Sequence, residues 1–230
     1  MFARMRSSRG ANVLGELLML VVGINIALWF EGKFEDFRDA ETEQLYLQGL
    51  HDDLTKDLDS LERRITGNKG KIERLGSIVG MLPGLAEIPP EELVGVMFEP
   101  SSYDFFQPSD FTYRSMQDSG DFRLLSDSEL KKNLLRLIRL IRLIRLYRMI
   151  DQRQQNFIQA LDDSYIPLVM GSFDIATMKL ADPTLAANQT FRNFFPFALQ
   201  DIQDRVAAYE AARKQVEILL SQIAAQSGPA

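Results

Sequence analysis

The sequence predicts an all-α chain, with an N-terminal single transmembrane helix continuing into an extramembrane antiparallel helical bundle. Three observations carry that expectation. Val13 to Phe30 is an apolar run interrupted by one ionisable group, Glu16. Two later stretches repeat apolar residues at spacings of three and four, and a capping signal opens a further long helix between them. Nothing alternates with a period of two over a useful length, so no sheet is expected.

Residues 1–12 form a basic tip, with Arg4, Arg6 and Arg9 and no acid. The run that follows, VLGELLMLVVGINIALWF over 13–30, extends about 27 Å as a helix, close to the hydrocarbon thickness of a bilayer. Trp29, the only tryptophan, and Phe30 stand at its far end, where amphipathic rings anchor a helix at a membrane interface. Beyond them Glu31, Glu35, Asp36, Asp39, Glu41 and Glu43 face only Lys33 and Arg38. The positive-inside rule therefore places the N-terminus in the cytoplasm and the domain after Phe30 outside. No A-x-A-like site follows the run, which favours an uncleaved signal-anchor over a cleaved signal peptide. Asn12, Glu16, Gly23 and Ala27 share one helical face, with Asn25 opposite. Small and polar residues on one stripe are what a transmembrane packing face uses, since lipid supplies no hydrophobic drive for association.

The expected ectodomain is 31–230. No proline occurs between Val13 and Leu82, so the anchor is expected to run into a long helix over about 35–82. Leu54, Leu58, Leu61, Ile65, Ile72, Leu75, Val79 and Leu82 form its seam, interrupted by polar Asn68. Gly67 and Gly70 suggest a kink, and Pro83-Gly84 a stop. Pro89-Pro90 opens a short helix, followed by a loop whose Phe98, Tyr103, Phe105 and Phe106 are expected to plug one end of the bundle. Ser126-Asp-Ser-Glu129 is a capping box for a helix over about 127–165, before Pro167 and Gly171 interrupt. Phe195, Leu199, Ile202, Val206, Tyr209, Val216, Leu220 and Ile223 form a last seam within about 192–225, with Arg213 as its charged intruder. Asn188-Gln-Thr190 matches a glycosylation triplet of a kind that arises by chance.

Leu134 to Ile150 reads LLRLIRLIRLIRLYRMI, placing Arg136, Arg139, Arg142, Arg145 and Arg148 at every third position. Steps of three turn by about −60° on a helix, so these arginines wind around it instead of forming one face. Insertion of five arginines into lipid is too costly for a voltage-sensing reading, and there is no cradle of further membrane helices. Charge docking is the expectation, either on the acidic stretch 31–64 of the same chain or on an acidic partner.

Gly15-Glu16, the apolar run to Gly23-Ile24 and then Ile26-Ala27-Leu28 resemble the anchor of an uncharacterised bacterial family of single-pass membrane-anchored helical proteins. Thr112-Tyr113, Ser119-Gly120, Leu124-Leu125 and Ser126 to Leu130 are similar to a second patch of that family. This chain differs in placing Trp29 earlier, in having Glu31-Gly32-Lys33 after the anchor, and in its arginine repeat. The resemblance implies a membrane-anchored helical ectodomain in a bacterium and no known activity.

Chemistry is narrowed by what the 230 residues lack. With no cysteine and a single His51, disulfides, thiolate metal sites, cysteine nucleophiles and multi-histidine sites are excluded. His51 is expected on the seam side, packed or paired with an acid. No phosphate loop, nucleophile elbow, zinc-protease helix or EF-hand loop occurs. Asp57 and Asp59 lie about 200° apart on a helix and cannot share a metal. The expectation is a non-catalytic accessory or scaffold subunit with no cofactor and no bound metal. It would sit in a bacterial inner membrane with its C-terminal domain periplasmic. Its partners would be the lipid bilayer and other membrane-complex subunits or a homo-oligomer, with no nucleic acid. The alternative is a sensor ectodomain that binds a small ligand between helices.

Overall fold

The computed structural model describes residues 7–124, 128–174, 176–177 and 179–225. The fold is all-α, apart from one two-residue hairpin. Its spine is α1, Ser7–Met81, a single unbroken helix. With its first proline at Pro83, the chain has no backbone donor missing before that point, and the helix passes through Gly67 and Gly70 without a break. The helix gives way to a tight 3₁₀ stretch, Leu82–Glu87, where Pro83 sits in the first turn.

α2 (Pro90–Met97) opens at Pro89-Pro90, and α3 (Phe111–Ser119) follows an extended segment. α3 closes on Gly120, whose φ of 75° supplies the left-handed turn that a Cβ would oppose. α4 (Ser128–Ala160) continues through a π-helical turn, Leu161–Tyr165, into the short α5 (Ile166–Gly171). β1 (Phe173–Asp174) and β2 (Lys179–Leu180) pair antiparallel. α6 (Gln189–Ala224) closes the described chain. Its first turn is capped by Asn188, whose side-chain oxygen accepts from the backbone N–H of Thr190 at 2.9 Å and of Phe191 at 3.2 Å. The triplet read as a glycosylation match is thus a helix start.

α1 and α6 run antiparallel and share the main interface, with Lys69 reaching Glu210 at 2.8 Å. α4 lies against α6 and parallel to α1, tied by Arg153 to Asp204 at 3.0 Å and by Tyr147 to Asp57. α3 lies on α1 at Gly49, where a Cβ would stand 2.8 Å from Thr112 Oγ1, so glycine permits the close approach. Leu54, Leu61, Ile65 and Leu75 are buried as the seam predicts, and Ile78 is buried while Val79 is only partly so. In α6, Phe195, Ile202, Tyr209 and Val216 are fully buried. At the end of the bundle away from the apolar run, Tyr165 stacks on Phe194 at 4.3 Å and on Phe191 at 5.8 Å.

Besides the missing kink at Gly67 and Gly70, three expectations change. The aromatic loop does not plug one end: Phe106 enters mid-bundle, 3% exposed, against Tyr147 at 5.0 Å and Tyr209 at 6.0 Å. His51 is paired with an acid, Asp52 at 3.5 Å, but it is exposed and not on the buried side of α1. Arg213 is not the charged residue of the α6 core; Arg205 is, at 1% exposure. Ser126 of the expected capping box lies outside the described residues.

Candidate functional site

Three features stand out: an apolar helix length that no described residue covers, a buried polar clamp, and a polar groove beside exposed arginines. The first belongs to α1. It is a helix long and apolar enough to cross a membrane, with an 18-residue window of mean hydropathy 1.6 and none of that window buried. Glu16, Gly23 and Ala27 are all exposed, and no atom comes within 4 Å of a Cβ placed on Gly23. Asn25, on the opposite side, satisfies its own amide by donating to the Val21 carbonyl at 2.7 Å. Trp29 and Phe30 meet edge to face at 5.2 Å and are both exposed. The side chain of Asn12 lies outside the described residues.

The second feature holds the segment 102–110 as a strap across the bundle. Such a segment has no ladder of its own, so its backbone groups need partners from elsewhere. Asp57 Oδ1 accepts from Ser109 N at 2.7 Å, and Asp53 Oδ2 accepts from Thr112 N at 3.0 Å. Gln154 accepts from Phe106 N at 3.0 Å and donates to its carbonyl at 3.2 Å, while Tyr209 donates to the same Gln154 oxygen at 2.6 Å. Arg64 donates to the Phe105 carbonyl at 2.6 Å. The other Asp57 oxygen accepts from Tyr147 at 2.6 Å, so one carboxylate joins α1, the strap and α4. Asp57 is 1% exposed, and burial pushes its carboxyl up to about 6 despite these hydrogen bonds. Burial likewise pushes the Tyr147 hydroxyl well above its ordinary range. With both oxygens engaged, Asp57 is placed to hold and not to react. Asp59, two residues on, is exposed and paired with Arg63.

Near the strap, Arg205 places its guanidinium over the rings of Phe157 at 4.9 Å and Phe105 at 5.2 Å, with Asp201 at 2.7 Å. Lys71, 4% exposed, is driven down to about 8 by burial. No property of the local sequence distinguishes these two cations from their exposed neighbours; the burial of Arg205 depends on Phe105 of segment 102–110 and Phe157 of α4 being brought over it.

The third feature is a groove of about 600 Å³ between α3 and α4, lined by Tyr113, Arg114, Asp118, Tyr147, Arg148 and Asp151 among others. Arg142, Arg145 and Arg148 are exposed, and among the described residues no ion pair involves any of them. The pairing expected between these arginines and the acidic stretch 31–64 is therefore not made at these three positions. The side chains of Arg136 and Arg139 lie outside the described residues. α6 is the main neighbour of both α1 and α4, which keeps the acidic and basic helices from zipping together along their lengths. No group of His, Asp and Glu able to hold a metal ion occurs among the described residues.

No family model, curated protein or solved structure matches the chain. The resemblance drawn from the Gly15–Leu28 and Thr112–Leu130 patches thus rests on those residues alone.

Proposed function

We propose that this chain is a non-catalytic accessory or scaffold subunit, anchored by residues 13–30 in a bacterial inner membrane and docking other proteins through its helical domain. The observation that carries the reading is the continuity of α1: the same helix provides a fully exposed apolar length and the spine of the bundle. A domain mounted without a linker is held at a fixed height and angle above the surface, which suits positioning more than reach. Exposed Arg142, Arg145 and Arg148, without partners among the described residues, offer positive charge for an acidic partner. The charge asymmetry around 13–30 supports a cytoplasmic N-terminus and a periplasmic bundle.

Purification in mild detergent tests this directly: the expectation is stoichiometric recovery of at least one other membrane protein, reduced by replacing Arg142 and Arg145 with Gln. A chain recovered alone would refute the scaffold reading. A reporter fused after Ala230 is expected to be active on the periplasmic side, and cytoplasmic activity would refute the orientation. The groove between α3 and α4 supports a second reading, a sensor that binds a small ligand there. A melting temperature that rises with a metabolite, in a chain without protein partners, would favour it.

A further inference from the structure

From the face that α1 leaves bare we infer that the chain pairs with a second copy of itself, parallel and in register, along Glu16, Leu20, Gly23, Ala27, Phe30, Phe34 and Phe37. The inference rests on the membrane-anchored reading above and names one partner for it. These positions follow spacings of four and three, the spacing of a seam between two parallel helices. On a straight helix the first six fall within about 40° of Glu16, and Phe37 within about 60°. The buried side of α1 begins at Glu43 and runs through Leu47, Leu50, Leu54 and Leu61, about 180° away. The bundle therefore hangs on the outer side of α1, and two copies can approach along the bare face without their bundles meeting it.

Every residue from Glu16 to Arg38 is exposed, so nothing within the described chain covers this face. Phe34 and Phe37 are 73% and 71% exposed, about 6 and 11 Å beyond Phe30 along the axis. Lipid surrounds a helix evenly and selects no face, whereas these rings share one, with Glu35, Asp36 and Asp39 on the far side. Lys33, on the flank, is drawn to Asp36 of its own helix at 3.4 Å. Two copies inserted in one membrane with the same orientation present the stripe at the same depth, so each phenylalanine meets its counterpart without any search for register. The rings at 30, 34 and 37 of two copies expose on the order of 800 Å² of aromatic surface, the most that pairing them can withdraw. A stable interface needs roughly 1,200 Å² or more, and the close approach allowed by Gly23 and Ala27 supplies the remainder inside the bilayer. Beyond Phe37 the bare face carries Arg38, Glu41 and Gln48 around a single exposed leucine, Leu45, and these polar groups end the seam.

The absence of native cysteine makes the test clean. Single substitutions Phe34→Cys, Phe37→Cys, Asp36→Cys and Asp39→Cys are introduced into the full chain, and isolated membranes are treated with a mild oxidant. Phe34, Asp36 and Phe37 are exposed and Asp39 is half-buried, and helical circular dichroism of each purified variant checks folding. The expected result is a disulfide-linked product of twice the 26.2 kDa chain mass at 34 and 37, at least tenfold weaker at 36 and 39. Equal crosslinking at all four positions, none at any, or a product of another mass would overturn the pairing. Washing the same membranes with alkaline carbonate separates the two claims. A chain that is retained but not crosslinked at 34 and 37 overturns the seam alone, and a chain that is released overturns the membrane reading together with the seam.

Discussion

Asp57 makes a quantitative statement about how stability depends on pH. Its carboxyl is 1% exposed and sits at about 6, against an ordinary value of 3.8 in an unfolded chain, chiefly because burial disfavours the charge. The unfolded chain therefore releases this proton first as pH rises. Stability from this group is fully present below pH 3.8, falls as pH rises toward 6, and levels off above it. At 1.36 kcal/mol per pH unit, the whole effect is about 3 kcal/mol, of which about 1 kcal/mol falls between pH 5 and pH 7.

Asp57→Asn removes the titration and keeps much of the shape. The amide oxygen still accepts from Ser109 N, and the Tyr147 hydroxyl can turn to accept from the new NH₂. The baseline difference between the two proteins reflects lost charge-assisted bonds against relieved burial, but the pH slope of that difference does not. Urea unfolding of both chains in detergent, followed by circular dichroism from pH 5 to pH 7, should show the variant gaining about 1 kcal/mol on the native chain. Parallel stability profiles, or a gain in the opposite direction, would refute the account of Asp57 as a buried carboxylate held by Tyr147 and Ser109.

Gly49→Ala places a methyl 2.8 Å from Thr112 Oγ1 and 2.9 Å from its Cγ2, and should destabilise the bundle by about 1–3 kcal/mol in urea titration, with partial recovery on adding Thr112→Ala. Asn188→Ala deletes the cap of α6 and should lose about 1 kcal/mol by the same measurement, while Asn188→Asp keeps most of it. Leu61→Ala opens a cavity at a fully buried position and should cost about 2–5 kcal/mol, visible as a lower thermal midpoint. Tyr165→Phe removes the donor at 2.6 Å from the Met97 carbonyl and should lose about 1–2 kcal/mol, again read from the thermal midpoint.

The long helices were legible because each leaves a local trace. Apolar residues at spacings of three and four marked α1 and α6, Pro89-Pro90 marked the start of α2, and Pro83 the end of α1. The Thr112 and Ser119-Gly120 patch carries only a resemblance in the sequence, yet the structure gives it a job: Thr112 fills the space over Gly49, and Gly120 supplies the left-handed turn that closes α3. The buried polar residues left no such trace. Asp57 and Asp59 stand in the same acidic helix, and Arg205 and Arg213 both in α6. Asp57 is chosen by Ser109, some 50 positions away, and Arg205 by the rings of Phe105 and Phe157, contacts between segments distant in sequence.

The sequence alone determined that the chain is helical, that 13–30 is an apolar helix of bilayer length, and that the arginines of α4 recur at every third position. Those are properties of hydrophobic period and of the backbone, and neighbours in sequence set them. Tertiary structure decided which side of α1 is covered, because α6 chose the face beginning at Glu43 and left the opposite one bare. It also decided that Arg142, Arg145 and Arg148 stay exposed, because α6 is the main neighbour of the acidic helix and the basic one alike. Burial is a relation between segments, and periodicity shows that a face exists without showing what will lie upon it.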